Sequence, residues 1–328
     1  MKAIVVREFG PIGAARMEEV ATPEPDPNEV VVRVAAVAAN FVDTLVLQGK
    51  YQFLPERPFS PGKLPAGTVH ALGRGVTGLK EGDRVLTMAE HGGYAEFVAV
   101  AADQCLKIPD ALSFDDAASI SLAFDTAWVA LTDRARLVAG DNVLVLGATG
   151  AVGLAAIQLA KARGARVLAA VSSPAKTDIV REAGADEVID LSLPNLRDSL
   201  REQVHAVTSG EGADVILDTL GGDFFDAALR ALVWRGRLVV IGFASGRIPE
   251  MKANYLLLKN IEVSGIQVSD YRKRRPEMMR ACFEEVFDLY KKGKIKPPPA
   301  TVYPLASYGK ALTDLLDRKI VGRAVLHP

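Results

Sequence analysis

Gly147-Ala148-Thr149-Gly150-Ala151-Val152-Gly153 follows directly on the apolar run Asn142-Val143-Leu144-Val145-Leu146 and opens a stretch of helical periodicity over 151–163. A buried strand that turns through glycines into a helix is the arrangement that cradles a pyrophosphate. Gly150 lets the backbone approach the anion and Gly153 lets helix and strand pack closely, while the first N–H groups of the helix, which lack carbonyl partners, face the negative charge. Ala148 stands where the usual pattern has its first glycine. Glycines also serve any tight strand-to-helix turn, so the reading depends on what comes next.

What comes next is a regular beat. The pattern predicts strands over 166–171, 187–190, 214–217, 237–241 and 260–263, and helices over 175–183, 196–207 and 224–234, with Gly164 and Gly184 at helix ends. Strands this apolar, each returned by a helix, are buried on both faces, which defines a parallel doubly wound α/β sheet. Ligands of such sheets collect beyond the carboxyl ends of the strands. The strand over 166–171 ends at Ser172-Ser173-Pro174-Ala175-Lys176, where an NAD site usually offers a carboxylate to the ribose hydroxyls. Two hydroxyls and an ammonium suit a 2′-phosphate instead, so the expected coenzyme is NADPH; the plainer reading is a helix cap with an exposed lysine. Asp218-Thr219-Leu220-Gly221-Gly222 and Gly242-Phe243-Ala244 end two further strands on the same edge.

Before residue 122 the texture differs. Short runs such as Val30–Val34, 84–86 and 96–100 alternate with Pro- and Gly-bearing turns, and Met1–Arg7 reads as an opening strand, which predicts an antiparallel β domain. A helix over 277–291 and the triplet Pro297-Pro298-Pro299 lead to a closing strand over 324–326. The 39 basic and 40 acidic side chains nearly cancel, so no overall field favours nucleic acid or an anionic membrane, and small molecules are the expected partners. Cys105 and Cys282, the only cysteines, build neither a disulfide framework nor a zinc cluster. With no long apolar run beside a cleavage site, a cytoplasmic location is expected.

Taken in order and spacing, Asn40-Phe41-Val42-Asp43, Gly82-Asp83-Arg84-Val85, Gly92-Gly93-Tyr94-Ala95-Glu96, Thr126-Ala127-Trp128, Val145-Leu146-Gly147-Ala148, Gly150-Ala151-Val152-Gly153 and Val239-Val240-Ile241-Gly242-Phe243 make the chain resemble the medium-chain dehydrogenase/reductases over essentially its whole length. The likeness is specifically to the quinone oxidoreductase, zeta-crystallin-like branch. It implies a Rossmann dinucleotide-binding domain over 123–271 and a GroES-like, mainly antiparallel substrate domain made of 1–122 and 272–328, with a homodimer as the assembly. It places Tyr51 and Thr126 at the nicotinamide end and Thr149, Gly150, Ala151 and Val152 on the pyrophosphate. Ser172, Ser173 and Lys176 fall on the adenosine ribose phosphate, and Leu220, Gly242, Phe243 and Ala244 along the ring and its ribose. Gly265, Ile266 and Gln267 fall near the substrate, and Arg318 is a weaker coenzyme contact from the tail.

The implied activity is hydride transfer from NADPH to a quinone or an α,β-unsaturated carbonyl, which its own conjugation activates. Two readings stand for the catalytic candidates Tyr51 and Asn40: hydrogen bonds to the acceptor oxygen, or anchoring of the nicotinamide ribose or of their own loop. Zinc alcohol dehydrogenases of the same superfamily need a Cys, His and Cys or Asp set. Here Asn40 stands in the place of the first cysteine, and Lys63 and Leu64 in that of a His-Glu pair, so no catalytic metal is expected. Leu64-Pro65, Asp125 and Leu191 depart from the branch's pattern, which leaves acceptor preference and strictness for NADPH open. Rival readings are a non-catalytic, crystallin-like NADPH-binding protein, a zinc alcohol dehydrogenase relative, and a methyltransferase.

Overall fold

A computed structural model describes all residues, 1–328. The chain divides into two compact units, one of Met1–Leu122 with Pro297–Pro328 and one of Ala123–Lys296. The unit Ala123–Lys296 holds six parallel strands in the order Glu187–Asp190, Arg166–Val171, Asn142–Leu146, Ala213–Asp218, Leu232–Val240, Glu262–Gly265. Numbered along the chain this is 3-2-1-4-5-6, the doubly wound order in which the direction of winding reverses between the first and fourth strands. Val143 to Leu146 and Val215 to Leu217 are fully buried, as the unbroken apolar runs require of strands covered on both faces.

Two sequence expectations change in this unit. The helix expected over 224–234 ends at Ala228, and Leu232–Val240 is already strand. Leu232 pairs with Ala213 and the register then jumps so that Arg237 pairs with Val215. The extra residues bulge through Arg235 at φ +63° and leave Trp234 67% exposed. The unit also continues past 271 to Lys296. Helix Pro276–Lys291 belongs here because its Glu285 accepts from Trp128 Nε1 at 2.6 Å and from Arg163, while Met279, Cys282 and Phe283 are fully buried.

The division between the units falls inside helix Phe114–Val129, which the pattern did not predict. Ala117, Ala118, Ile120, Ala123, Phe124 and Ala127 bury it nearly all round, so it lacks the one-sided stripe that reveals a surface helix.

In the other unit the central strand is Glu29–Ala39. Its first half pairs with Phe97–Ala101 and its last residues with Arg323–His327, while Ala66–Leu72 runs along the other side, all antiparallel. Arg84–Thr87 and Cys105–Lys107 extend the sheet; Ala300–Pro304 lies parallel to Arg323–His327 at its far end. The expected closing strand is thus in place, Ala324 opposite Ala39 and Leu326 opposite Val37. No helix of the chain is long and apolar enough to cross a membrane.

Candidate functional site

Because the six strands are parallel, their carboxyl ends share one edge, and the coenzyme candidates of this unit other than Thr126 leave the sheet there. Thr149 to Val152 follow Asn142–Leu146; Ser172, Ser173 and Lys176 follow Arg166–Val171; Leu220 follows Ala213–Asp218; and Gly242, Phe243 and Ala244 follow Leu232–Val240. Gly265 ends the last strand, with Ile266 and Gln267 beyond it. Backbone bonds hold these turns to one another: Ala148 N–H donates to Ala170 O at 3.3 Å, Ala244 N–H to Thr219 O at 3.1 Å, and Ile266 N–H to Val240 O at 3.1 Å.

The glycine turn is built by close approach. Gly147 lies at φ +69°, and a Cβ there would sit 2.3 Å from Thr219 Oγ1, whose hydroxyl donates to Leu146 O at 3.0 Å. The position that needs a left-handed backbone is therefore Gly147, which explains why Ala148 is tolerated. A Cβ on Gly153 would meet Gly147 O at 2.4 Å and Ala148 Cα at 2.7 Å, so its absence draws helix Ala151–Ala162 against the turn. Gly150 caps that helix with no side-chain bond. The N–H groups of Ala151, Val152 and Gly153 have no intrahelical acceptor, and a carrier of two phosphates fits them.

At the neighbouring strand end Ser172 is exposed and Ser173 and Lys176 partly so, and neither hydroxyl nor the Lys176 ammonium bonds another group of the chain. The nearby carboxylate of Asp190 turns away, accepting from Ser192 N–H at 2.8 Å and Ser192 Oγ at 2.6 Å. Two free hydroxyls and a free cation with no opposing carboxylate fit a third phosphate.

Two carboxylates shape this edge through partners that the sequence reading did not reveal. Asp218 is fully buried; its Oδ1 accepts from Leu220 N–H at 2.8 Å and Gly221 N–H at 2.9 Å and so fixes the Leu220 turn, while Oδ2 has no partner. Burial pushes its carboxyl above the usual range, opposed by those two backbone bonds. Asp125, beside the buried Thr126, accepts from Arg272 Nε at 2.9 Å and Nη2 at 2.6 Å, with the two side chains 0% and 1% exposed. Its other oxygen is 3.3 Å from Thr126 Oγ1. The departure at Asp125 thus has a partner 147 residues away, a pairing that no local pattern announces.

The catalytic candidates lie in the unit of Met1–Leu122 with Pro297–Pro328. Asn40 is buried: its Oδ1 accepts from Arg323 Nη2 at 2.5 Å, its Nδ2 donates to Ala38 O at 2.9 Å, and its backbone N–H donates to Asp43 Oδ2 at 2.7 Å. These bonds commit both ends of the Asn40 amide within the core, which favours the anchoring reading over a hydrogen bond to an acceptor. Arg323, pushed down to about 10 by burial, remains a cation at neutral pH. Tyr51 is partly buried against this core, with Lys63 Nζ 5.4 Å from its ring centre. Arg318 lies exposed in a turn at φ +58°.

No group of three or more His, Cys, Asp or Glu side chains is arranged to hold a metal. In chemical terms the donors at Asn40, Lys63 and Leu64 are an amide already bonded to Arg323, an ammonium and a hydrocarbon, which do not fit zinc.

A coenzyme-binding sheet and a GroES-like barrel domain in one chain define a dehydrogenase/reductase, and comparison with known proteins agrees. Residues 26–110 match the alcohol dehydrogenase GroES-like domain and residues 151–284 the zinc-binding dehydrogenase family. The chain is 38% identical over 307 residues to a quinone oxidoreductase-like protein 2 homolog of Nematostella vectensis, covering 92% of this chain and 82% of that one. Against the quinone oxidoreductase of Sus scrofa it is 32% identical over 329 residues, covering 99% and 97%. The solved structure of Escherichia coli quinone oxidoreductase complexed with NADPH superposes with a TM-score of 0.90 at 29% identity, covering 100% of both chains. The chain belongs to the medium-chain dehydrogenase/reductases, in their quinone oxidoreductase branch, and is an oxidoreductase.

Proposed function

We propose that this oxidoreductase binds NADPH on the unit Ala123–Lys296, works without zinc, and reduces a quinone or an α,β-unsaturated carbonyl. The observation that carries the reading is the set of unpaired donors on one sheet edge: the first amides of helix Ala151–Ala162 for the pyrophosphate, and Ser172, Ser173 and Lys176 for the ribose phosphate. A relative solved in complex with NADPH supports it. NADPH, when bound, supplies the hydride. Thr126, Leu220, Gly242, Phe243 and Ala244 line the nicotinamide end in this reading, and Gly265, Ile266 and Gln267 the acceptor side. Tyr51 donates its hydroxyl to the acceptor oxygen as negative charge develops there.

The test follows NADPH and NADH absorbance with purified, metal-analysed protein against benzoquinone, phenanthrenequinone and a simple alkenal. Oxidation of NADPH in zinc-free protein is the expected result; no heat on titration with either coenzyme ends the reading. Lys176→Ala is expected to weaken NADPH by roughly tenfold and leave NADH unchanged, because one charge-assisted bond to phosphate is lost. Tyr51→Phe is expected to lower kcat/KM for the acceptor by about tenfold or more at unchanged NADPH affinity, the equivalent of one hydrogen bond to a developing charge. We also infer a homodimer. The strand Glu262–Gly265 is an open sheet edge, and Leu257 and Leu258 near it are 78% and 72% exposed. Sedimentation at assay concentration should give twice the 35.0 kDa chain mass.

A further inference from the structure

We propose that Asp218 is a positioning residue for the coenzyme: by holding two strand-end turns in one frame, it fixes the place of the hydride-donating half independently of the phosphate-binding turns. This rests on the NADPH reading above, in which Leu220 and Gly242 to Ala244 lie along the nicotinamide and its ribose, and adds to it the group that keeps them there.

Asp218 closes strand Ala213–Asp218 and is fully buried. It acts in two directions. Toward its own turn, Oδ1 accepts from the N–H groups of Leu220 at 2.8 Å and Gly221 at 2.9 Å. Toward the neighbouring strand, its main-chain oxygen accepts from Ile241 N–H at 2.8 Å and Gly242 N–H at 3.3 Å, where Leu232–Val240 gives way to Gly242-Phe243-Ala244. The two turns are then laced together, since Thr219 O accepts from Ala244 N–H at 3.1 Å and Leu220 O from Ser245 N–H at 2.9 Å.

The turn so held is strained. Gly221 lies at φ +67° and ψ −156°, a region that only glycine enters at low cost, and Gly222 follows at φ +57°. A Cβ on Gly221 would stand 2.9 Å from Phe243 Cδ1 and 3.1 Å from Arg247 O, and one on Gly222 2.6 Å from Ser245 Oγ, so the segment 243–247 rests directly on the two glycines. Such a conformation persists only where its surroundings over-determine it, and the two bonds to Asp218 Oδ1 supply that constraint.

The carboxylate is also costlier than a cap requires. Its Oδ2 is buried with no partner, and no basic side chain pairs with it. Burial raises its carboxyl, the bonds from Gly221 and Leu220 oppose that, and the charge of Asp226 adds to the rise. An asparagine or a serine would accept from the same amides and bury no charge, which is all that the short helix Gly222–Ala228 needs at its start. What the charge adds is bond strength, roughly double that of a neutral acceptor. A turn that must stay fixed while a ring lies against it has use for that strength.

The test compares two ligands by calorimetry on the full-length chain: NADPH, and adenosine 2′,5′-bisphosphate, which keeps the adenosine phosphates and lacks the nicotinamide half. Asp218→Ala is expected to weaken NADPH by about tenfold or more, as loss of bonds to a charged group does, and to leave the bisphosphate unchanged. Asp218→Asn, an acceptor without the charge, should recover part of the loss. A merely structural group would move both ligands together; that result overturns the proposal, as does an Asp218→Ala protein that binds NADPH like wild type. Should Asp218→Ala fail to fold, Asp218→Asn is read alone, and it must weaken NADPH by at least about threefold at unchanged bisphosphate affinity. A wild type that binds neither ligand ends the NADPH reading and this proposal with it, whereas a wild type that binds both, with variants that shift both or neither, ends this proposal alone.

Discussion

Arg272→Met is expected to destabilise the protein by about 3–5 kcal/mol, the range for removing one partner of a buried ion pair. The guanidinium places Nε and Nη2 on a single oxygen of Asp125, and both side chains are essentially out of water. Methionine fills most of the volume but takes this cation from a carboxylate in a medium that solvates it poorly. The pair Asp125→Leu with Arg272→Met removes both charges and should recover most of the loss, since well-packed apolar replacements of buried pairs are often neutral or better. Urea unfolding of the four proteins in the cycle measures this, and a single variant within 1 kcal/mol of wild type, on the order of a surface change, would refute it. Function separates from stability in the double variant. Asp125 neighbours Thr126, and Arg272 sits in helix Val268–Arg274 directly after Gly265-Ile266-Gln267, so the ion pair ties two of the proposed coenzyme and acceptor segments together. A stable double variant with weakened NADPH binding is the expected outcome.

Gly153→Ala is expected to cost about 1–3 kcal/mol and to weaken NADPH by more than about tenfold. The added Cβ would stand 2.4 Å from Gly147 O and 2.7 Å from Ala148 Cα, backbone atoms that cannot rotate aside. The helix must back away from the turn, and the amides of Ala151 and Val152 then no longer converge on one anion. Gly150→Ala is the informative contrast. Its nearest neighbour would be Gly147 O at 3.3 Å, and φ of −75° suits alanine, so stability should change by less than about 1 kcal/mol. Affinity should still fall, because the methyl occupies the space in front of the amides. Calorimetric titration with NADPH beside thermal unfolding separates the two effects; equal affinities in all three proteins would remove the pyrophosphate assignment.

The nucleotide half was legible because its signals are local. A fully buried parallel strand shows as an unbroken apolar run, a helix packed on one face shows a stripe, and glycines mark the turns between them. Strands Asn142–Leu146, Arg166–Val171 and Glu187–Asp190 and helix Leu196–Val207 begin and end where the pattern puts them. Helix Phe114–Val129 hid because burial on most sides erases periodicity, and the start of strand Leu232–Val240 hid because a bulge breaks its alternation. Asn40 carried two readings from its place in a motif, and the bond that favours anchoring was hidden because its partner Arg323 lies 283 residues further along.

What the sequence determined by itself was the doubly wound sheet, the glycine turn proposed for a pyrophosphate and the hydroxyls and lysine proposed for a further phosphate. Each of these depends on residues close together in the chain, where spacing translates directly into geometry. Only the tertiary structure decided that Asp125 belongs to Arg272, that residues 272–296 belong with the nucleotide-binding unit, and that Lys63 is held inside with Glu90 outermost. These are matters of desolvation and of partners distant in sequence, and a charge reveals which it will be, exposed or buried, only when the fold has closed around it.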